Sequence, residues 1–128
     1  MELIHWGERA KYAGVQGIYV VINRISRDRF VGQAHDLARH LEQHRSDLEE
    51  NCATELPRML ADFKSYGIDS FRFGLAETVR DAAQLDRKEE GWCTLLRPYY
   101  NAQLDFKKHN WVHLPDDIKA LLGVLLAP

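Results

Sequence analysis

The chain has 128 residues, 45% apolar and 28% charged, which is ordinary for a soluble globular protein with one core and too short for two comfortable domains. Its net charge of −2 leaves no global basic footprint of the kind that phosphate binders carry, and no apolar run approaches the ~20 residues needed to span a bilayer. Met1 to Trp6 lacks the basic start and continuous apolar stretch of a secretion signal, so a cytoplasmic, intracellular protein is expected. Cys52 and Cys93 have no Cys-x-x-Cys partner and read as two free thiols, not as a disulfide scaffold or a zinc ribbon.

In chain order, Met1 to Gln16 shows no clean period and reads as an irregular or short-strand lead-in. Gly17 to Gly32 holds two short apolar runs, each with an aromatic beside a glycine, separated by a polar segment rich in Ser, Asp and Arg; this is a β-hairpin pattern. Alternation puts Ile18, Val20 and Ile22 on one face of the first strand and Gly17, Tyr19 and Val21 on the other. Leu37, Leu41, His44 and Leu48 then recur at helical spacing, with Asp36 as N-cap, so a helix runs through Gln33 to Glu50 with His44 on its apolar face. His40 lies four residues before His44 and points the same broad way. That spacing can hold a metal, but no third soft ligand is near, and hydrogen-bonded histidines are the commoner outcome. The glutamate of His40-Leu41-Glu42-Gln43-His44 stands one place too late for the zinc-protease His-Glu-x-x-His pattern.

A second helix is predicted from about Thr54 to Lys64, with Pro57 in its first turn and Tyr66-Gly67 ending it. Ser70 to Glu77 alternates Phe71, Phe73 and Leu75 against Arg72, Gly74 and Ala76, a third strand. A third helix is expected from Thr78 or Val79 to Leu96, its buried stripe formed by Ala82, Leu85, Trp92 and Leu96. Glu89 falls inside that stripe, where a carboxylate needs a partner or a metal unless its head reaches solvent at the stripe's edge. Leu114 to Leu126 reads as a terminal helix with a broad apolar face, to be covered by the domain or by a second copy in a homodimer. Arg24, Arg27, Arg29, Arg39 and Arg45 cluster around the hairpin and the first helix; Arg27, Arg29 and Arg45 are candidate nucleic-acid contacts, though a solvated face accounts for the charge equally well.

Gly17-Ile18-Tyr19 and Phe30-Val31-Gly32, with eleven positions from Tyr19 to Phe30, resemble the signature of the GIY-YIG nuclease superfamily. The resemblance covers about residues 17–101 of a single domain of residues 1–128, leaving 102–128 as a C-terminal extension. It implies an α+β fold with a small three-stranded antiparallel sheet flanked by helices. It also implies a metal-dependent endonuclease acting on nucleic acid, DNA more readily than RNA, with one Mg²⁺ or Mn²⁺. Carried over residue by residue, Tyr19 is the general base, Glu89 three residues before Trp92 is the metal ligand, His44 is the first-helix histidine, and Asn101 after Tyr100 supports the site. Gly17, Phe30 and Gly32 are the structural positions of the motif. Two departures stand out: Phe30 replaces the second tyrosine, and the family's arginine, ten positions on, is His40, with Arg39 just before it. Adjacent helical residues point about 100° apart, so Arg39 does not simply substitute. His40 would be a pH-dependent hydrogen-bond donor to phosphate where the family has a permanent cation. A phenol with pKa near ~10 is a poor base at neutral pH, so Tyr19 needs the metal's field or a basic neighbour, His44 or another group. The alternative is a catalytically degenerate domain that binds nucleic acid or a protein partner in a regulatory or anti-defence role.

Overall fold

A computed structural model describes all 128 residues. Its sheet is antiparallel and four-stranded, with β1 (Glu2–Ile4), β2 (Gly17–Asn23), β3 (Arg29–Ala34) and β4 (Phe71–Thr78) in the order β1-β4-β2-β3. The α+β architecture is the expected one, with a fourth strand added at one edge. Three residues are too few to display a period of two, so β1 is defined only by its pairing with Phe73, Gly74 and Leu75. A 3-10 turn, Trp6–Tyr12, follows it.

Strand β2 lies between β3 and β4, and all seven of its residues are buried. Its alternation divides the molecule. Tyr19 and Val21 join a core with Phe71, Phe73 and Leu75 from β4 and with Leu37, Leu41 and Leu48 of helix α1 (Leu37–Glu49), on the layer that also holds α2 (Pro57–Tyr66). Ile18, Val20 and Ile22 join the opposite core with Leu85, Cys93 and Leu96 of α3 (Leu85–Leu96) and Ile118, Leu122 and Leu125 of α4 (Asp116–Leu126).

Local chemistry sets most of the boundaries. The Asp36 side chain accepts from Arg39 N, capping α1, and also from Gly14 N, tying the lead-in to the helix. Pro57 occupies the first turn of α2, and Gly67 at φ +80° ends it. Helix α3 starts at Leu85, later than its predicted cap at Thr78, because Thr78 still pairs with Gly17 in the sheet and Val79 N donates to Gln16 O. A short 3-10 turn, Ala82–Gln84, capped by Asp81, bridges the interval. The apolar face of α4 packs on the chain's own sheet, with Leu125 seated over Gly74. Of the two covers open to this face, the domain itself supplies one.

One predicted nucleic-acid contact is corrected by burial. Arg29 has no exposed surface. Its guanidinium donates to the carbonyls of Leu96, Arg27 and Arg97 and to Asn110 Oδ1, closing the hairpin base against the end of α3 and the C-terminal segment. Desolvation lowers its pKa to about 10, so it stays charged at neutral pH inside this cage of oxygens. An arginine at the first position of an edge strand looks exposed in the sequence because the lid over it comes from residues 67 and more positions away. Arg29→Ala is expected to cost about 3–5 kcal/mol of unfolding free energy, measured by urea denaturation, because the oxygens of Leu96, Arg27 and Asn110 lose this donor in the interior, while Arg97 O keeps only Asn110 Nδ2. A loss below about 1 kcal/mol would show that water replaces the guanidinium freely.

Candidate functional site

A cavity of about 320 Å³ opens at the β3 edge of the sheet, where the two helical layers meet. Tyr19 of β2, Phe30 of β3, His40 and His44 of α1, Glu89 of α3 and Asn101 all line it, so six residues taken from the sequence converge on one space. Gln43, Asp47, Glu55, Leu56 and Gln103 complete the wall.

Backbone geometry aims the tyrosine. Between β2 and β4 the register slips at Ile18/Tyr19, where Ile18 pairs with Glu77 and Tyr19 with Leu75. The extra residue is Ala76, so the bulge bends β4 against the strand that carries Tyr19. Opposite Tyr19 in the hairpin stands Gly32, and a Cβ there would lie 2.6 Å from the tyrosine oxygen and 2.7 Å from the Phe30 ring. Glycine is thus required by the close approach of the ring. Gly17 meets the same demand from the Glu77 carbonyl.

Around Tyr19 the rings form a box: Phe30 at 5.8 Å, His40 at 5.2 Å and His44 at 6.2 Å between centroids, with Phe30 and His44 edge to face at 5.2 Å. Phe30 supplies a ring to this packing and no hydroxyl. Tyr19 is 1% exposed, and its hydroxyl lies 2.9 Å from His40 Nε2. Burial, then the charge of Glu89, pushes the phenol far above its ordinary value of 10, so on its own it does not ionise at neutral pH. Desolvation lowers the pKa of His40. His40 Nε2, expected to face a phosphate, is engaged by Tyr19 instead.

His44 is 8% exposed and its Nε2 has no hydrogen-bond partner. That atom is itself buried and unpartnered, in a ring that lines the cavity. Burial and the neighbouring His40 ring lower its pKa to about 4, so the ring is neutral at pH 7. Asp47, one helical turn on, also lines the wall, held by Gln43 Nε2 at 2.8 Å.

On the opposite wall, Glu89 Oε2 accepts from Gln33 Nε2 at 2.9 Å, and the same nitrogen reaches Asp86 Oδ1 at 2.7 Å. Gln33 orients the carboxylate and leaves Oε1 free. Asn101 is buried, and its amide serves a different purpose: Oδ1 accepts from Val31 N at 2.9 Å and Nδ2 donates to Val31 O at 2.8 Å. It acts as a strand residue at the open edge of β3, so it positions the site and has little capacity left for a ligand.

The cavity carries Asp47, Glu55 and Glu89 and no lysine or arginine. No three His, Cys, Asp or Glu side chains converge as a metal cage. What these residues suit is a hard cation held by one carboxylate, keeping several waters and taking phosphate oxygens, and the free oxygen of Glu89 meets that demand.

The arginines do not form one surface. Arg39 is exposed and does not line the cavity. Arg45 stacks on Trp6 at 4.5 Å and pairs with Glu49 at 2.7 Å. Arg27 is exposed at the hairpin tip, φ +62°, over Trp111 at 4.8 Å. Among the residues that the motif left out, Asp47 was the legible one, three positions after His44 on the same helical face. Glu55 and Gln103 carried no local signal, and Gln33 was marked only as part of the entry to the first helix.

No protein-family model matches the chain, and no curated protein matches it by sequence. Two solved structures share its fold. The catalytic domain of homing endonuclease I-TevI superposes with a TM-score of 0.61 at 24% identity, covering 67% of this chain and 92% of that one. A glutamate-to-alanine mutant of the catalytic domain of intron endonuclease I-TevI gives 0.63 at 22% identity, covering 73% and 99%. The fold is GIY-YIG-like. At these identities the likeness speaks for the GIY-YIG-like fold alone; the residues of the cavity speak for the rest.

Two outcomes test the geometry. Gly32→Ala drives a methyl into the Tyr19 and Phe30 rings and is expected to cost about 1–3 kcal/mol in urea denaturation, with a changed near-ultraviolet circular dichroism signal from the displaced tyrosine. For His44, the unfolded chain takes up a proton near 6.5, whereas the folded chain resists to about 4. The unfolded state therefore binds more protons between these values, and stability falls as pH drops through that window. His44→Gln is expected to remove about 1–3 kcal/mol of this acid sensitivity, read as the change in urea midpoint between neutral and mildly acid buffer. Parallel pH profiles for both proteins would place the ring in water.

Proposed function

We propose that the chain is a divalent-metal-dependent endonuclease that hydrolyses phosphodiester bonds of nucleic acid, DNA more readily than RNA, with Tyr19 as general base. The observation that carries this reading is the meeting, on one cavity of a GIY-YIG-like fold, of the Tyr19 hydroxyl, the free oxygen of Glu89 and the unpartnered Nε2 of His44. Hydrolysis of a phosphodiester requires a proton acceptor for water, neutralisation of charge on the pentacoordinate phosphorus and help for the leaving oxygen. Tyr19 receives the proton of the attacking water. His44, neutral and donor-capable at Nε2, binds a phosphate oxygen. Glu89, oriented by Gln33, would hold Mg²⁺ or Mn²⁺, which when bound supplies Lewis-acid stabilisation of the phosphate and leaving oxygens. The carboxylate-rich wall supports a need for that cation, since a bare phosphodiester would meet only negative charge there.

A second reading, a degenerate domain that binds nucleic acid or a protein partner, is favoured by one observation: the cavity contains no permanent cation, His40 standing where the family has arginine. Nicking of supercoiled plasmid with Mg²⁺, Mn²⁺ or EDTA separates the two. Metal-dependent nicking by the purified protein is expected, with Glu89→Gln and Tyr19→Phe each lowering it by about 10²–10⁴-fold while folding and nucleic-acid binding persist. Binding without nicking by wild-type protein at every metal concentration would transfer the assignment to the second reading.

A further inference from the structure

The Tyr19 hydroxyl has one hydrogen-bond partner, His40 Nε2, in a setting where the ring is 1% exposed. A phenol can donate or accept, but the two choices differ in cost. If His40 donated, the buried O–H of Tyr19 would be left without an acceptor; if Tyr19 donates, only a lone pair goes unfilled, which proteins tolerate more readily. Tyr19 is therefore the donor, Nε2 the acceptor, and the imidazole proton sits on Nδ1. His40 as a residue is exposed, so that the imidazole has a route for its proton to water.

We propose that His40 is the proton acceptor of Tyr19, forming with it a relay that carries the proton of the attacking water out of the cavity. This rests on the hydrolase reading above. In the step, the water oxygen forms its bond to phosphorus as one of its protons moves to the Tyr19 oxygen. The proton already on that oxygen moves to His40 Nε2, and the Nδ1 proton leaves to solvent. The bond from phosphorus to the leaving oxygen breaks, and that oxygen takes a proton from water. Tyr19 ends as it began, a neutral phenol, so its resistance to ionisation is no obstacle.

The surroundings favour this direction of transfer. Tyr19 faces His40 from β2, His44 and Asp47 from α1, Glu55 from the loop after it, and Glu89 from α3. Three carboxylates line the same cavity, and burial keeps the resting ring neutral and ready to accept. His44 cannot take the part: its ring centre is 6.2 Å from that of Tyr19 and no hydrogen bond joins them. An arginine at position 40 could not accept a proton at all, so the exchange of arginine for histidine converts a cation into an acceptor.

The test has two arms. In ¹⁵N-histidine-labelled protein, long-range ¹H–¹⁵N correlation at neutral pH is expected to show His40 as the Nδ1–H tautomer, with that preference lost in Tyr19→Phe. In nicking assays, His40→Ala is expected to lose about 10²-fold in rate, with added imidazole restoring at least about tenfold and substituted imidazoles doing so in order of basicity, while guanidinium does not. His40→Gln, closer in size, serves the same assay should the alanine variant fail to fold. An Nε2–H tautomer, full activity in a folded His40 variant, absence of imidazole rescue, or rescue by guanidinium alone would each overturn the relay. Wild-type nicking without imidazole rescue removes the relay and leaves the nuclease; absence of wild-type nicking removes both.

Discussion

The burial of β2 on both faces is the constraint from which the rest of the molecule follows. A strand enclosed by β3 and β4 at its edges and by helices above and below must offer apolar side chains on both faces, and Gly17–Asn23 does so apart from its two ends. Tyr19 is held in that wall with almost no exposed surface, between a bulge on one side and Gly32 on the other. Its ring is therefore rigid and its hydroxyl is fixed in direction, which is what a positioned proton acceptor requires. The same enclosure keeps the phenol protonated, so the chemistry of this residue depends on what lies against its oxygen.

Charge is managed unusually in this domain. Its one deeply buried cation, Arg29, serves the scaffold, joining the hairpin to the end of α3 and to Asn110. The cavity has no permanent cation; it has two neutral imidazoles and three carboxylates. A polyanion cannot be drawn there by lysine or arginine, and the chain's net charge of −2 supplies no long-range attraction. In such a site, affinity for phosphate depends on a divalent ion far more than in a cavity with an arginine fork. Arginines Arg27 and Arg45, stacked on Trp111 and Trp6, occupy separate places on the surface and not one continuous path.

Residues behind the cavity are as closely tied as those that line it. Asn101 satisfies both backbone groups of Val31 at the edge of the sheet, and Gln33 holds Glu89 from two positions further along the same strand. Thus the motif strand β3 is fastened from outside by an amide and in turn aims the carboxylate of α3. Displacing β3 would disturb Phe30, Gly32 and Glu89 together.

The chain's order of residues determined the elements and the face each residue takes. The period of two put Ile18, Val20 and Ile22 on one face of β2, and helical spacing put Leu37, Leu41, His44 and Leu48 on one face of α1, because alternation and helical spacing are local properties of the backbone; which layer each face meets came from the fold. The hairpin motif and its downstream residues brought Tyr19, His44, Glu89 and Asn101 into view as one group. Three things were decided only by the fold. Short β1 exists because β4 offers it an edge; Arg29 is interior because Leu96, Arg97 and Asn110 close over it; and His40 meets Tyr19 because α1 crosses β2 at that height. Each depends on contacts between residues far apart in the chain, whose distance and direction no local period encodes.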